Sequence, residues 1–116
     1  MDALVNEPQA WRPVCRRQDL VPHSGVVALV DGVQIALFYV PQAAEGEIYA
    51  IENRDPRSGA NVIGRGIVGH LDGELVVASP LYKQHFRLAD GSCVQYPEQR
   101  LRAWRARLNA DTVEIG

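Results

Sequence analysis

An all-β fold is predicted from three observations. Short runs rich in β-branched and aromatic residues recur along the 116 residues, Asp-Gly dipeptides stand between them, and nowhere do apolar residues keep a helical period through a capped segment of convincing length. Residues 25–30 and 33–40 flank Asp31-Gly32, a pair that favours φ > 0, so a two-residue hairpin is predicted there. After a loop at 41–46, Ile48-Tyr49-Ala50-Ile51-Glu52 has the pattern of a strand that delivers residues 53–60 at its end. Gly64-Arg65-Gly66 and Gly69 interrupt a mildly apolar stretch. They spell Gly-x-Gly-x-x-Gly without a clear strand before and helix after, so loop punctuation is predicted.

Asp72-Gly73 then turns the chain into Glu74-Leu75-Val76-Val77-Ala78, a strand ending at residue 79. Residues 85–88 and 92–94 surround Asp90-Gly91, which predicts a second hairpin. Residues 101–108 are ambiguous: Leu101, Trp104 and Leu108 fit one helical face, whereas Trp104, Ala106 and Leu108 alternate with Arg105 and Arg107 as on a half-buried strand. Strand is favoured, because Asn109-Ala110-Asp111 supplies a turn and residues 112–115 can pair back.

Length and 47% hydrophobic content suit a single domain over residues 1–116, large enough to bury a core without staples. A formal net charge of -2 gives no global field that would gather nucleic acid. The longest apolar stretches, 26–30 and 35–40, fall far short of the ~20 residues that a membrane span needs. The N-terminus, Met1-Asp2-Ala3-Leu4-Val5-Asn6-Glu7, carries acid rather than base and does not resemble a secretory signal, so a cytoplasmic location is expected.

No nucleophile elbow, phosphate-binding loop, dinucleotide fingerprint or HExxH helix is present in the sequence. Cys15 and Cys93 stand far apart, outside any metal-binding grouping, and two free thiols are expected. The spacings of His23, His70 and His85 match no ligand template; His85 alone is singled out, by its place among residues 79–86. Arginine occurs eleven times against one lysine, with Arg12, Arg16 and Arg17 near Trp11 and Arg100, Arg102, Arg105 and Arg107 around Trp104. Such groupings suit docking surfaces, but a solvated strand face with buried tryptophans is the favoured expectation.

Two loops carry the most specific signal. Residues 53–60 run Asn-Arg-Asp-Pro-Arg-Ser-Gly-Ala, and residues 79–86 run Ser-Pro-Leu-Tyr-Lys-Gln-His-Phe. Their prolines, Gly59 and Phe86 resemble the two cluster-binding loops of Rieske iron–sulfur domains, Cys-Pro-His with a following Gly-Ala and Cys-Pro-x-His-Gly-x-x-Phe. On that resemblance Asp55 and Arg57 stand at the first Cys and His, and Ser79 and Tyr82 at the second. A Rieske cluster needs two thiolates on one iron and two imidazoles on the other. A guanidinium has no acceptor and cannot replace an imidazole, so no cluster is expected. Without it something else must tie the loops: an ion pair or hydrogen bonds from Asp55 to Lys83, Arg57 or backbone amides, with Tyr82 filling space. Alternatively, Asp55 is an ordinary turn aspartate before a proline.

The longer strings Arg65-Gly66-Ile67-Val68-Gly69 and Val76-Val77-Ala78 leading into residues 79–86 extend the resemblance. From the Trp11 region to Val113-Glu114-Ile115 the chain resembles the small subunit of cytoplasmic NAD(P)H-dependent nitrite reductases. The resemblance implies an all-β Rieske-type fold of antiparallel sheets without the [2Fe-2S] cluster, and no catalytic residue or cofactor on this chain. It further implies docking on a large subunit that carries FAD, a [4Fe-4S] cluster and siroheme and reduces nitrite to ammonium. Candidate contacts are Asn53, Arg54, Asp55, Arg57, Tyr82, Lys83, Gln84 and His85. Two alternatives are a Rieske-type ferredoxin carrying electrons and a small β-barrel binding module unrelated to redox chemistry.

Overall fold

The computed structural model describes residues 10–41 and 47–116; residues 42–46 of the predicted loop and the first nine residues lie outside them. Ten strands occur among the described residues: β1 (Arg12–Arg16), β2 (Ser24–Val30), β3 (Val33–Tyr39), β4 (Ile48–Glu52), β5 (Ile67–Leu71), β6 (Glu74–Ala78), β7 (His85–Arg87), β8 (Ala103–Trp104), β9 (Ala106–Asn109) and β10 (Thr112–Ile115). They form three antiparallel sheets, ordered β1-β10-β9, β2-β3-β4-β8 and β5-β6-β7.

The uninterrupted apolar run after Gln34 has a direct structural cause. Residues 35–40 are all buried, because β3 is covered on both faces. Ala36, Phe38 and Val40 enter one core with Ile51, Ile63, Val77, Phe86 and Leu101. Ile35, Leu37 and Tyr39 enter a second with Ile48, Val113 and Ile115. The four-stranded sheet is thus the middle layer, and fully burying a side chain such as Phe38 contributes about 1.5–3 kcal/mol.

The hairpin turns match their sequence signals. Asp31 and Gly32 hold φ of 51° and 80°, and Asp72 and Gly73 hold 53° and 83°, the positive values that two-residue turns between twisted strands require. The favoured strand is present only from residue 103 onward, and it is broken: β8 pairs with β4 while β9 pairs with β10, so the chain changes sheets at Arg105. The hairpin around Asp90-Gly91 is reduced to one bridge, Phe86 opposite Cys93, flanked by Arg87 N–H to Ser92 O and Val94 N–H to His85 O, both 2.8 Å. Cys93 is buried in the first core and Cys15 half-buried in β1, both free.

One expectation is corrected. The glycines at 64–69 are not loop punctuation: Gly69 lies inside β5 opposite Val76, and Gly64 belongs to a buried 3₁₀ turn, Ile63–Arg65. That turn lies so close to β2 that a Cβ on Gly25 would stand 2.5 Å from the Gly64 carbonyl oxygen. Close backbone approach, rather than chain reversal, is what selects glycine here.

Gly91 combines φ of +80° with a would-be Cβ 2.1 Å from the Leu101 carbonyl oxygen. Gly91→Ala is expected to destabilise the fold by about 2–4 kcal/mol in urea denaturation. Beside it, hydrogen bonds from the Ser92 hydroxyl and amide hold the Asp90 carboxyl below the usual carboxylate range. A carboxyl lowered on folding contributes stability above its unfolded pKa, and that contribution is lost as pH falls through the folded value. Asp90→Ala should therefore lower the thermal midpoint at neutral pH and flatten the acid side of the stability profile.

Candidate functional site: the loop pair

β4 and β6 end beside one another in the two sheets that enclose the first core, and each runs into one of the two loops. In the first loop, Arg54 bridges Asn61, Asp55 N–H donates to Ala60 O at 2.7 Å and Gly59 N–H to Asp55 O at 2.8 Å. Gly59 holds φ of +80° with the Arg54 guanidinium alongside, which accounts for the glycine. In the second loop, Ser79 N–H donates to Gln84 O at 2.8 Å and Lys83 N–H to Ser79 O at 3.0 Å. Lys83 stands at the position where the resembled family has glycine, and its φ of 62° shows why glycine suits it.

The four positions that would hold a Rieske cluster bond to one another in pairs. Asp55 is fully buried. One of its carboxylate oxygens, Oδ1, accepts the amides of Arg57 at 2.8 Å and Ser58 at 3.2 Å, and the other accepts the hydroxyl of Ser79, itself buried. The two cysteine-equivalent positions are therefore joined across the loops by a charge-assisted hydrogen bond. Outside them, the guanidinium carbon of Arg57 lies 4.4 Å from the ring centroid of Tyr82, so the two histidine-equivalent positions also meet, in a cation–π contact. Pro56 and Pro80 follow Asp55 and Ser79 and disfavour helical backbone at both.

Of the partners expected for Asp55, backbone amides are present, both within its own loop. Neither Lys83 nor the Arg57 side chain forms an ion pair with it among the described residues. Ser79 as the partner across the loops is the contact that sequence reasoning missed; its only signal was an acceptor and a donor placed on the two cysteine positions. Donors at these four positions do not fit a [2Fe-2S] cluster: there is no thiolate or imidazole among them, Asp55 already accepts three hydrogen bonds, and Arg57 offers no lone pair. Among the described residues no three His, Cys, Asp or Glu side chains converge as a metal site.

The candidate contacts divide by burial. Asn53, Asp55 and Gln84 are buried: Asn53 accepts Gly64 N–H at 2.7 Å and donates to Gln34 Oε1 at 2.9 Å, and Gln84 donates to Gln99 Oε1 at 3.0 Å. These three support the loops from beneath. Arg54, Arg57, Tyr82 and Lys83 are exposed; His85 is half-buried, its Nδ1 2.8 Å from Gln95 Nε2. His23 and His70 are exposed elsewhere. Both tryptophans are half-buried beneath arginines, Arg102 over Trp104 and Arg105 with Arg107 over Trp11 at 4.1–4.8 Å, close to the solvated strand face expected.

Residues 10–116 match the Rieske-like [2Fe-2S] domain, which gives the class that the three sheets and paired loops define. Within that class the chain belongs to the family of nitrite reductase small subunits. It is 39% identical over 105 residues to the nitrite reductase (NADH) small subunit of Salmonella typhimurium, covering 90% of this chain and 95% of that one. The solved structure of the Escherichia coli protein NirD superposes with a TM-score of 0.81 at 36% identity, covering 91% of this chain and 94% of that one. It is also 38% identical over 114 residues to the nitrite reductase [NAD(P)H] large subunit of Klebsiella oxytoca, covering 98% of this chain but only 11% of that protein.

Asp55→Ala leaves two amides and a buried hydroxyl without their acceptor and is expected to cost about 2–4 kcal/mol, and Ser79→Ala about 1–2 kcal/mol. The double variant should cost at least about 1 kcal/mol less than the sum, because both changes remove one bond. Denaturant titration of the four proteins measures this. Lys83→Gly is expected to stabilise the chain by about 1 kcal/mol by relieving the left-handed backbone.

Proposed function

We propose that the chain is a non-catalytic partner within an NAD(P)H nitrite reductase, docking through its loop tip on a large subunit and supporting it. The observation that carries this reading is the pairing of Asp55 with Ser79 and of Arg57 with Tyr82, which puts side-chain contacts where a Rieske domain has metal ligation. A chain fastened in this way keeps the shape of an electron carrier while having nowhere to hold the electron. The Klebsiella oxytoca protein supports the partnership, since a domain like this one forms about a tenth of a chain called the large subunit. Contacts fall to Arg54, Arg57, Tyr82, Lys83 and His85, with Asn53, Asp55 and Gln84 fixing their positions. FAD, the [4Fe-4S] cluster and siroheme belong to the large subunit in this reading, and the complex works in the cytoplasm.

Affinity isolation of the tagged chain from its source cells, grown on nitrite, tests the proposal. A larger chain with siroheme and flavin absorption is expected in the eluate, with the small chain itself colourless when purified alone. A chain that elutes alone under inducing conditions, or one that binds iron with a thiolate-to-iron spectrum, would refute it.

A further inference from the structure

We infer that the loop tip is the cationic pole of a polarised chain and fits an acidic surface with an apolar recess at its centre, on the large subunit. The inference rests on the functional reading above. Residues 53–61 and 79–86 contain Arg54, Arg57 and Lys83 against the single carboxylate of Asp55, a formal +2 in a chain whose total is -2, so the remainder carries -4. The exposed imbalance is larger, because Asp55 is fully buried and bonded inward.

Elsewhere four arginines are ion-paired within the chain: Arg12 lies against Asp31, Arg87 against Glu74, Arg100 against Asp90 and Arg107 against Glu114. Arg54, Arg57 and Lys83 have no carboxylate within 4.0 Å among the described residues. On the second loop with Lys83 are Leu81 and Tyr82, 50% and 49% exposed, the latter under the Arg57 guanidinium. Exposed apolar and aromatic side chains on loops that also carry cations have the composition of an interface anchor, in which Tyr and Arg carry much of the binding energy and rim charges set orientation and encounter rate.

Arg57 is already laid over Tyr82 in the free chain, so little side-chain freedom is lost on docking. The partner face that complements this arrangement presents carboxylates around a recess deep enough for the Leu81 and Tyr82 side chains. A like domain also occurs as part of a chain called the large subunit, which is why the large subunit is taken as the occupant.

The test measures binding of the purified chain to the purified large subunit by surface plasmon resonance, at about 50 mM and about 500 mM salt, a range over which the Debye length shortens about threefold. Wild type is expected to lose at least about tenfold in affinity across it, mostly in association rate. Arg54→Glu and Lys83→Glu should each weaken low-salt binding about tenfold or more, whereas Arg16→Glu, an equal charge change on an exposed residue outside the loops, should change it less than about twofold. Tyr82→Ala should accelerate dissociation, and Tyr82→Phe, which keeps the stacked ring, should not. Matching thermal midpoints establish that the variants are folded. Affinity indifferent to salt, or Arg16→Glu as costly as Arg54→Glu, would overturn the cationic docking pole while the complex stands. Failure of wild type to bind at any salt would overturn the functional reading and this inference together.

Discussion

A fully buried carboxylate is tolerated in a chain of this size only when its oxygens are taken up by donors, and Asp55 meets that condition by reaching across from one loop to the other. Its two amide bonds close the turn of the first loop, and its bond to Ser79 ties that turn to the second. Much at the tip follows. The positions of Arg57 and Tyr82, which meet above the bond, depend on the two turns being held together. So does the exposure of Leu81, carried outward by a loop closed between Ser79 and Gln84. Were the carboxylate unpaired, burial would be costly and the loops would be free to part.

The sheets supply the platform for that contact. β3, covered on both sides, fixes the middle layer, and the 3₁₀ turn at residues 63–65 is pulled against β2 by the two glycines that permit it. Asn53 then joins platform and loop, with one side-chain bond to Gln34 in β3 and another to Gly64 in the turn. The tip is thus fastened twice, to itself through Asp55 and to the middle sheet through Asn53.

Much of this was legible in the sequence, for physical reasons that differ by element. Asp31-Gly32 and Asp72-Gly73 announced their turns because a positive φ is a local demand that few residues meet. The alternation around Trp104 pointed to strand, but the change of sheet at Arg105 did not show, since pairing partners are a matter of the whole fold. Gly69 misled because a glycine in a strand looks like a turn when its opposite strand is unknown. At the site, the missing ligands were plain and the resemblance located both loops. What the sequence could not supply was depth: Asn53, Asp55 and Gln84 lie in the same short strings as Arg54, Arg57 and Lys83, yet point inward. Burial of individual loop residues follows from three-dimensional closure, which no periodicity encodes.

The fastening between Asp55 and Ser79 also changes what the cell must provide. A metal-bound tip is finished only after assembly machinery has delivered iron and sulfide, and it stays finished only while oxidants spare the cluster. A tip closed by a carboxylate and a hydroxyl is complete as soon as the polypeptide folds, because both groups arrive with translation. Its shape is therefore independent of iron supply and oxygen tension.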